Sequence, residues 1–365
     1  HPKNVIQLYR IPMHRLFLSL ILSLLLLSSE AQYTVIGRIV DSSTQEPLSR
    51  ASVFCQNTTY GTATDKEGRF QLPLREGGYD VTISYTGYQS QVIRVTAATE
   101  LNILLVKKDN SLSEVVLKSS YEVADGWEKY GDFFQEHFIG GSEIAKQCMI
   151  RNREALRFLY YKRSNRLKVL ANEPIVVVNP ALGYEISYQL DSFVYQYNTQ
   201  YYLYRGYSFY TELTGDDSVR ANWARNRKAA YQGSRLQFMH NYYDSTLQEN
   251  GWLIDLLDET DETVFRKVNP YDTTYYAAPD SSGEIEIWYP RKMSITYKKK
   301  FPESEYLKKM KLPKSTPYCI SYIDLKDPIL IRSNGYFYNQ SDWMQQGYWV
   351  WKNLGDQLPF DYEPD

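Results

Sequence analysis

Between residues 33 and 107, apolar side chains recur at every second position in short runs, a pattern that commits this stretch to stacked sheets. Val81, Ile83 and Tyr85 alternate with Asp80, Thr82 and Ser84, and Leu101, Ile103 and Leu105 repeat the period. A two-residue period turns one face of a strand into a core and the other toward solvent or a second sheet. Turn signals separate the runs. Asp65-Lys66-Glu67-Gly68 has Asp first and Gly fourth, as a type I turn prefers, and Gly77-Gly78 and Thr86-Gly87 punctuate further. About seven short strands at this spacing predict an all-β sandwich.

The same residues carry a family resemblance. Val35-Ile36-Gly37-Arg38-Ile39-Val40-Asp41, Glu46-Pro47-Leu48 and Ala51-Ser52-Val53 resemble the start of the carboxypeptidase regulatory-like domain. Gly61-Thr62-Ala63-Thr64-Asp65, Gly68-Arg69-Phe70 and Ser84-Tyr85-Thr86-Gly87-Tyr88 match the rest of its pattern. The resemblance covers residues 33–107 and implies a transthyretin-like sandwich. This domain also forms the N-terminal extension of TonB-linked outer-membrane transporters in Gram-negative bacteria. Leu112-Ser113-Glu114-Val115-Val116 resembles the stretch that follows it there. The remainder of this chain is too short for the plugged barrel of about 22 strands that such transporters carry.

Residues 108–120 are polar and read as a linker, with Asp109-Asn110-Ser111 at its centre. Beyond it the composition changes: all seven Trp and 28 of the 34 Tyr lie from Tyr121 onward. Trp127, Tyr130, Phe133, Phe134 and Phe138 fall at helical spacing, and Gly140-Gly141 ends that helix. Ile186, Tyr188 and Leu190 alternate, then Phe193, Tyr195 and Tyr197 alternate in opposite phase, so a β-bulge is expected at Asp191-Ser192. Asn198-Thr199-Gln200 would turn the hairpin. Residues 219–243 read as one long helix with an apolar stripe of Trp223, Ala224, Ala230, Tyr231, Phe238 and Tyr242. Strands follow at 284–289, 293–298 and 318–325, and an aromatic helix at 343–358. Residues 121–365 are therefore expected to be a larger antiparallel α+β domain. It resembles, loosely, the second region of envelope proteins that carry the same sandwich and have no assigned function.

The N-terminal residues read as a signal peptide spanning 1–31. Lys3, Arg10 and Arg15 precede an apolar run at 16–27, and Ser29-Glu30-Ala31 places small residues where a signal peptidase reads. The alternative is a membrane anchor. Met13 leaves open whether residues 1–12 belong to the working leader. Without the leader the formal charge is −4, from 38 basic and 42 acidic residues, which gives no reason to expect nucleic acid. Three cysteines at scattered spacing, Cys55, Cys148 and Cys319, are not a disulfide framework. Cys55 reads as a small buried residue, while Cys148 and Cys319 are free to pair only if the fold brings them together.

No constellation of residues points to catalysis. Beyond the leader only His137 and His240 remain, and neither lies in H-x-x-E or H-E-x-x-H, so a zinc peptidase site is not expected. There is no G-x-S-x-G elbow, P-loop or G-x-G-x-x-G. Glu284 and Glu286 beside Trp288 are candidates for a metal-free glycosidase pair, set against the solvent face of a strand. The acidic run of Asp255, Asp258, Glu259, Asp261 and Glu262 lacks calcium-loop order and reads as a solvated loop. Arg220, Arg225, Arg227, Lys228 and Arg235 would present either a cationic face for lipid head groups, acidic sugar or an acidic partner, or a plain solvated face. Trp343, Tyr348, Trp349 and Trp351 cannot all lie on one side of a helix, so exposed aromatics are expected there as binding anchors.

These readings converge on an exported, non-catalytic binding or assembly protein, periplasmic or outer-membrane-associated. No catalytic, metal or cofactor residue is assigned and no cofactor is expected. The partner would be an envelope protein or a glycan, with a glycoside hydrolase or a purely structural subunit as the alternatives.

Overall fold

The computed structural model describes residues 32–108, 121–261, 263–279, 283–337 and 342–364. The leader, the 112–116 motif and nearly all of the expected linker lie outside the described residues. Seven strands form the first unit: β1 (Gln32–Asp41), β2 (Ser52–Cys55), β3 (Gly61–Ala63), β4 (Arg69–Arg75), β5 (Tyr79–Ser84), β6 (Gln91–Val95) and β7 (Thr99–Leu105). They make a three-stranded sheet, β4-β1-β7, facing a four-stranded sheet, β3-β2-β5-β6. The alternating residues meet between them: Val35, Ile39, Val53, Phe70, Leu72, Val81, Ile83, Ile103 and Leu105 are all buried. Asp41 closes one end. Its carboxylate accepts from the Tyr88 hydroxyl at 2.6 Å and from the Ser43 and Thr44 amides. These bonds, the Tyr88 hydroxyl foremost, hold Asp41 well below the usual carboxylate range.

The outer face of β2 and β5 is covered rather than solvated. Thr82, on the polar side of the alternation, is buried, because the second unit docks there.

That unit begins with helix α1 (Gly126–Phe138) and strands β8 (Met149–Ile150), β9 (Leu156–Tyr161), β10 (Arg166–Ala171), β11 (Ile175–Asn179), β12 (Tyr184–Gln196) and β13 (Tyr201–Glu212). The strands run in the order β8-β11-β12-β10-β9, with β13 on the other edge of β12. The helix buries Phe134 and Phe138 against this sheet. It stops before Gly140, whose φ is +120° and where a Cβ would meet the Lys352 carbonyl oxygen at 2.5 Å. The β12–β13 register shifts between Leu190 and Ser192, the bulge that the phase slip predicts.

Helices α2 (Asp217–Tyr231) and α3 (Arg235–Tyr243) follow. Next come β14 (Trp252–Leu257), β15 (Phe265–Lys267), β16 (Tyr276–Ala277), β17 (Ile285–Ile287) and β18 (Met293–Tyr297). Helix α4 (Ser304–Lys309), β19 (Cys319–Leu325), β20 (Ile329–Ile331), β21 (Trp343–Gly347) and α5 (Tyr348–Asp356) complete the order. These strands sort into a β15-β14-β18-β19-β21 sheet and a small β16-β17-β20 sheet. The second unit is thus β-rich with few helices.

Two expectations are corrected. The helix expected over 219–243 breaks at Gln232-Gly233-Ser234, and Ala224 of its expected stripe is exposed. The segment 343–358 is helical only from Tyr348, because 343–347 pairs antiparallel with β19 as a strand.

Main-chain hydrogen bonds weld the two units together. The Asn57 amide donates to the Ser208 carbonyl at 2.6 Å, the Tyr210 amide to Thr58 at 3.0 Å, and the Phe360 amide to Asn57 at 2.8 Å. Asn57 has φ +59°, a left-handed conformation that Asn tolerates better than most residues. Its side-chain oxygen accepts from the Ser208 amide at 3.0 Å. Phe54 packs on Tyr207 and Phe209, with ring centroids 6.2 and 5.1 Å apart.

Candidate functional site

The break between α2 and α3 shapes a large concavity. Gly233 has φ +78°, and Ser234 restarts the helix by accepting from the Gln237 amide at 3.1 Å. The Gln237 side chain reaches back to the Gly233 amide at 2.7 Å. This S-x-x-Q cap, a variant of the capping box whose return bond falls one residue before the N-cap, is a signal that the sequence carries and that the continuous apolar stripe conceals. Lys300 Nζ donates to the carbonyls of Ala229 and Gln232, and the Trp349 indole N–H to that of Gly233. The break is therefore gripped from two other elements.

Opposite the break stands the bulged hairpin. Gly206 faces the bulge with φ +154°, where a Cβ would lie 2.1 Å from the Gln189 carbonyl oxygen. The hairpin contributes Tyr188, Tyr204 and Tyr210 to the wall, β21 and α5 close the remaining side, and Asn57 reaches in from the sandwich. The cavity between them holds about 590 Å³, within the range of small-ligand sites, roughly 300–1,000 Å³. Burial raises the phenol pKa of Tyr210 to about 12 and pushes those of Tyr188 and Tyr204 up as well, so these rings line the wall as neutral hydroxyls.

The floor is an ion network built around the buried carboxylate of Asp356. Lys352 Nζ lies 2.6 Å from Glu303 and 2.9 Å from Asp356. The Tyr348 hydroxyl donates to Glu303 at 2.7 Å, and the Ser142 hydroxyl donates to Asp356. Burial raises the Asp356 pKa, while Glu303 is held low by Lys352 against the opposing effect of its own burial.

Arg235, at the start of α3, is a partly buried wall residue without a counter-ion. Its guanidinium sits 5.4 Å from the Phe337 ring centroid. Among the described residues it makes no hydrogen bond and no ion pair, and its nitrogens are not sealed from solvent. Arg235 is among the residues that line the cavity. Burial pushes its pKa below the ordinary arginine value, yet a guanidinium stays charged at any working pH.

The other residues singled out from the sequence are scattered. Arg220 pairs with Asp217, Arg225 donates to Asn222, and Arg227 pairs with Glu212 over the Tyr184 ring. Of the basic set, only Arg235 reaches the cavity. His137 is bonded to the Phe133 carbonyl and His240 to the Tyr231 hydroxyl, both at 2.8 Å on helices among aromatic rings. Burial lowers the pKa of each. Glu284 pairs with Arg332 at 2.7 Å, while Glu286 is exposed. Asp258 and Asp261 accept from Thr260 and Thr263 in tight turns, Asp258 and Glu259 approach Arg291, and Asp255 lies in β14. Glu262 is outside the described residues. No group of three or more His, Cys, Asp or Glu among the described residues is arranged to hold a metal. Cys55, Cys148 and Cys319 are buried free thiols. Cys148 and Cys319 belong to different core clusters, and burial raises their pKa values to about 12 and about 11.

The aromatic anchors are corrected outright: Trp343, Tyr348, Trp349 and Trp351 are all buried in one core cluster. Helix α5 is enclosed on every side, so residues that cannot share a face are nonetheless all inside. A second crevice of about 430 Å³ lies where β2 and β5 meet Tyr207 and Phe209. No helix among the described residues is long and apolar enough to cross a membrane.

Comparison with known proteins identifies the first unit. Residues 35–117 match the CarboxypepD_reg-like domain, and this part of the chain is a carboxypeptidase regulatory-like domain. The TonB-dependent receptor SusC of Bacteroides thetaiotaomicron is 36% identical over 106 residues, 29% of this chain and 10% of the receptor. The match thus spans about a tenth of that relative's length. Among solved structures, a type II cohesin–X-dockerin complex of Acetivibrio cellulolyticus is 33% identical over 21% of this chain and 59% of that chain, with a TM-score of 0.18. A DUF3823 family protein of Bacteroides ovatus is 9% identical over 51% of this chain and 83% of that chain, also with a TM-score of 0.18.

Proposed function

We propose that this is an exported, non-catalytic protein of a Gram-negative-type cell envelope, associated with the outer membrane, that binds a ligand in the cavity between the hairpin and α5. The cavity itself is the observation that carries the reading: about 590 Å³, walled by tyrosines, with the partly buried and uncompensated guanidinium of Arg235 among them. The SusC match in the regulatory-like domain supports an envelope setting. The sandwich acts as a docked wall of the site, since Asn57 lines it. A glycosidase needs two carboxyl groups free to act across a sugar. The carboxylates lining this cavity are Asp191 and Asp356, and Asp356 is committed to Lys352 and Ser142.

Two measurements test the proposal. Mass spectrometry of the protein from its native envelope is expected to find a mature chain starting at or near Gln32, and retention of residues 16–27 would show an anchor instead. Incubation with oligosaccharide and peptide libraries is expected to give ligand-dependent rises in Tm with every compound recovered intact. Any trimmed product, chelator-sensitive or not, overturns the non-catalytic assignment.

A further inference from the structure

We propose that the cavity ligand is an acidic sugar whose carboxylate is held by the Arg235 guanidinium, an inference that rests on the cavity-binding reading above. A charge held in a partly desolvated wall without a counter-ion is costly, because its lost hydration is not replaced. Arg235 is in that position: Phe337 covers one side, no acceptor among the described residues reaches its donor fork, and the residue lines the cavity. The other charges of the wall do not relieve it. Four basic residues (Arg205, Arg235, Lys300, Lys352) face two acidic ones (Asp191, Asp356). Lys300 is already bonded to two carbonyls, and Lys352 and Asp356 satisfy one another. The net excess is positive, and the fork of Arg235 matches the two oxygens of a carboxylate.

The rest of the wall indicates what carries that carboxylate. Gln200, Gln232, Gln346 and Gln357 bring side-chain amides to the same cavity as Tyr188, Tyr204 and Tyr210. Amides hydrogen-bond hydroxyl groups as both donors and acceptors, and aromatic rings offer an apolar body with a polar edge. An acyl chain would leave those amides unpaired, whereas a polyhydroxylated ring bearing one acid group satisfies every wall type.

The test uses the mature full chain and three probes in calorimetric titration: digalacturonate, its neutral methyl ester, and a galactose 6-sulfate disaccharide. Digalacturonate is expected to bind, more weakly as salt rises, and the methyl ester to bind at least tenfold less tightly, roughly what one lost charged hydrogen bond costs. Arg235→Gln is expected to weaken digalacturonate roughly 30-fold or more, and Arg235→Lys, which keeps the charge but not the fork, by less. A purely structural arginine would behave differently in one further readout. Without ligand, Arg235→Gln should leave Tm unchanged or raised, since it removes an uncompensated charge. A fall of several degrees would make Arg235 a packing element and overturn the proposal. Equal binding of acid and ester, or binding indifferent to Arg235→Gln, overturns the carboxylate assignment while leaving the cavity reading intact. Preference for the sulfate would replace the carboxylate by a sulfate ester. Silence of all three probes overturns the acidic-sugar assignment, and the library experiment then decides the cavity reading separately.

Discussion

Lys352→Met is expected to lower the unfolding free energy by about 3–5 kcal/mol at neutral pH, the range for breaking a buried pair from one side. Lys352 is shared by Glu303 and Asp356 at 2.6 and 2.9 Å, and Asp356 is almost wholly buried. Met fills much the same volume, so the loss would be electrostatic. The pH dependence gives the diagnostic sign. Burial already raises the Asp356 pKa; Lys352 opposes that rise, and at Glu303 it outweighs burial and holds the pKa low. Without Lys352 both pKa values move up. A carboxyl whose folded pKa exceeds its unfolded value binds protons more readily when folded, so it destabilises above that pKa and stops doing so below it. The deficit of Lys352→Met should therefore be largest near pH 7 and narrow as pH falls toward the ordinary carboxylate range. Denaturant unfolding at a series of pH values measures this, and a deficit independent of pH would show that packing, not charge, is what Lys352 contributes.

This network also marks where reading the sequence reaches its limit. Strands report themselves locally: Val81 and Ile83 alternate into the sandwich core, and the phase slip at Asp191-Ser192 locates the bulge, because a two-residue period needs only neighbours to be recognised. Lys352, Glu303, Asp356 and Ser142 are separated by up to 214 positions, and nothing local signals that they will meet. The cavity is similarly assembled from the sandwich, the hairpin, α3, β21 and α5. Arg235 was visible as one of five basic residues on an expected helix. What distinguished it, the Gly233-Ser234 break and the cap to Gln237, was in the sequence but hidden by an apolar stripe that stays in phase across the break. The docking of the sandwich was illegible for a different reason. The polar side of β5 contains Thr82, a residue equally at home on a wet face or under Tyr207 and Phe209.

Trp349→Ala is expected to cost about 3–5 kcal/mol, as large-to-small changes at buried aromatic positions do. Sequence alone offers the ring as an exposed anchor, whereas the fold makes it the hub of a packed cluster. It contacts Phe238, Trp252 and Trp343 at centroid distances of 5.6, 6.2 and 6.1 Å. Its indole N–H donates to the Gly233 carbonyl at 2.8 Å, at the break that sets the position of Arg235. Trp349→Phe keeps most of the volume and loses that bond, so it isolates a contribution of about 1 kcal/mol. The same substitution should weaken ligand binding beyond its effect on stability, because the break would no longer be fixed. Trp288→Ala is the comparison, since Trp288 is only partly buried against the same cluster and should cost less. Denaturant unfolding separates the two accounts of the aromatic segment. If Trp349→Ala unfolds at the wild-type denaturant concentration yet no longer binds, the ring belongs to the binding surface and the core assignment fails. If it unfolds several kcal/mol earlier, the abundance of Trp and Tyr beyond residue 120 is chiefly what holds this β-rich unit together, and recognition falls to the few side chains, Arg235 foremost, that the core leaves unsatisfied.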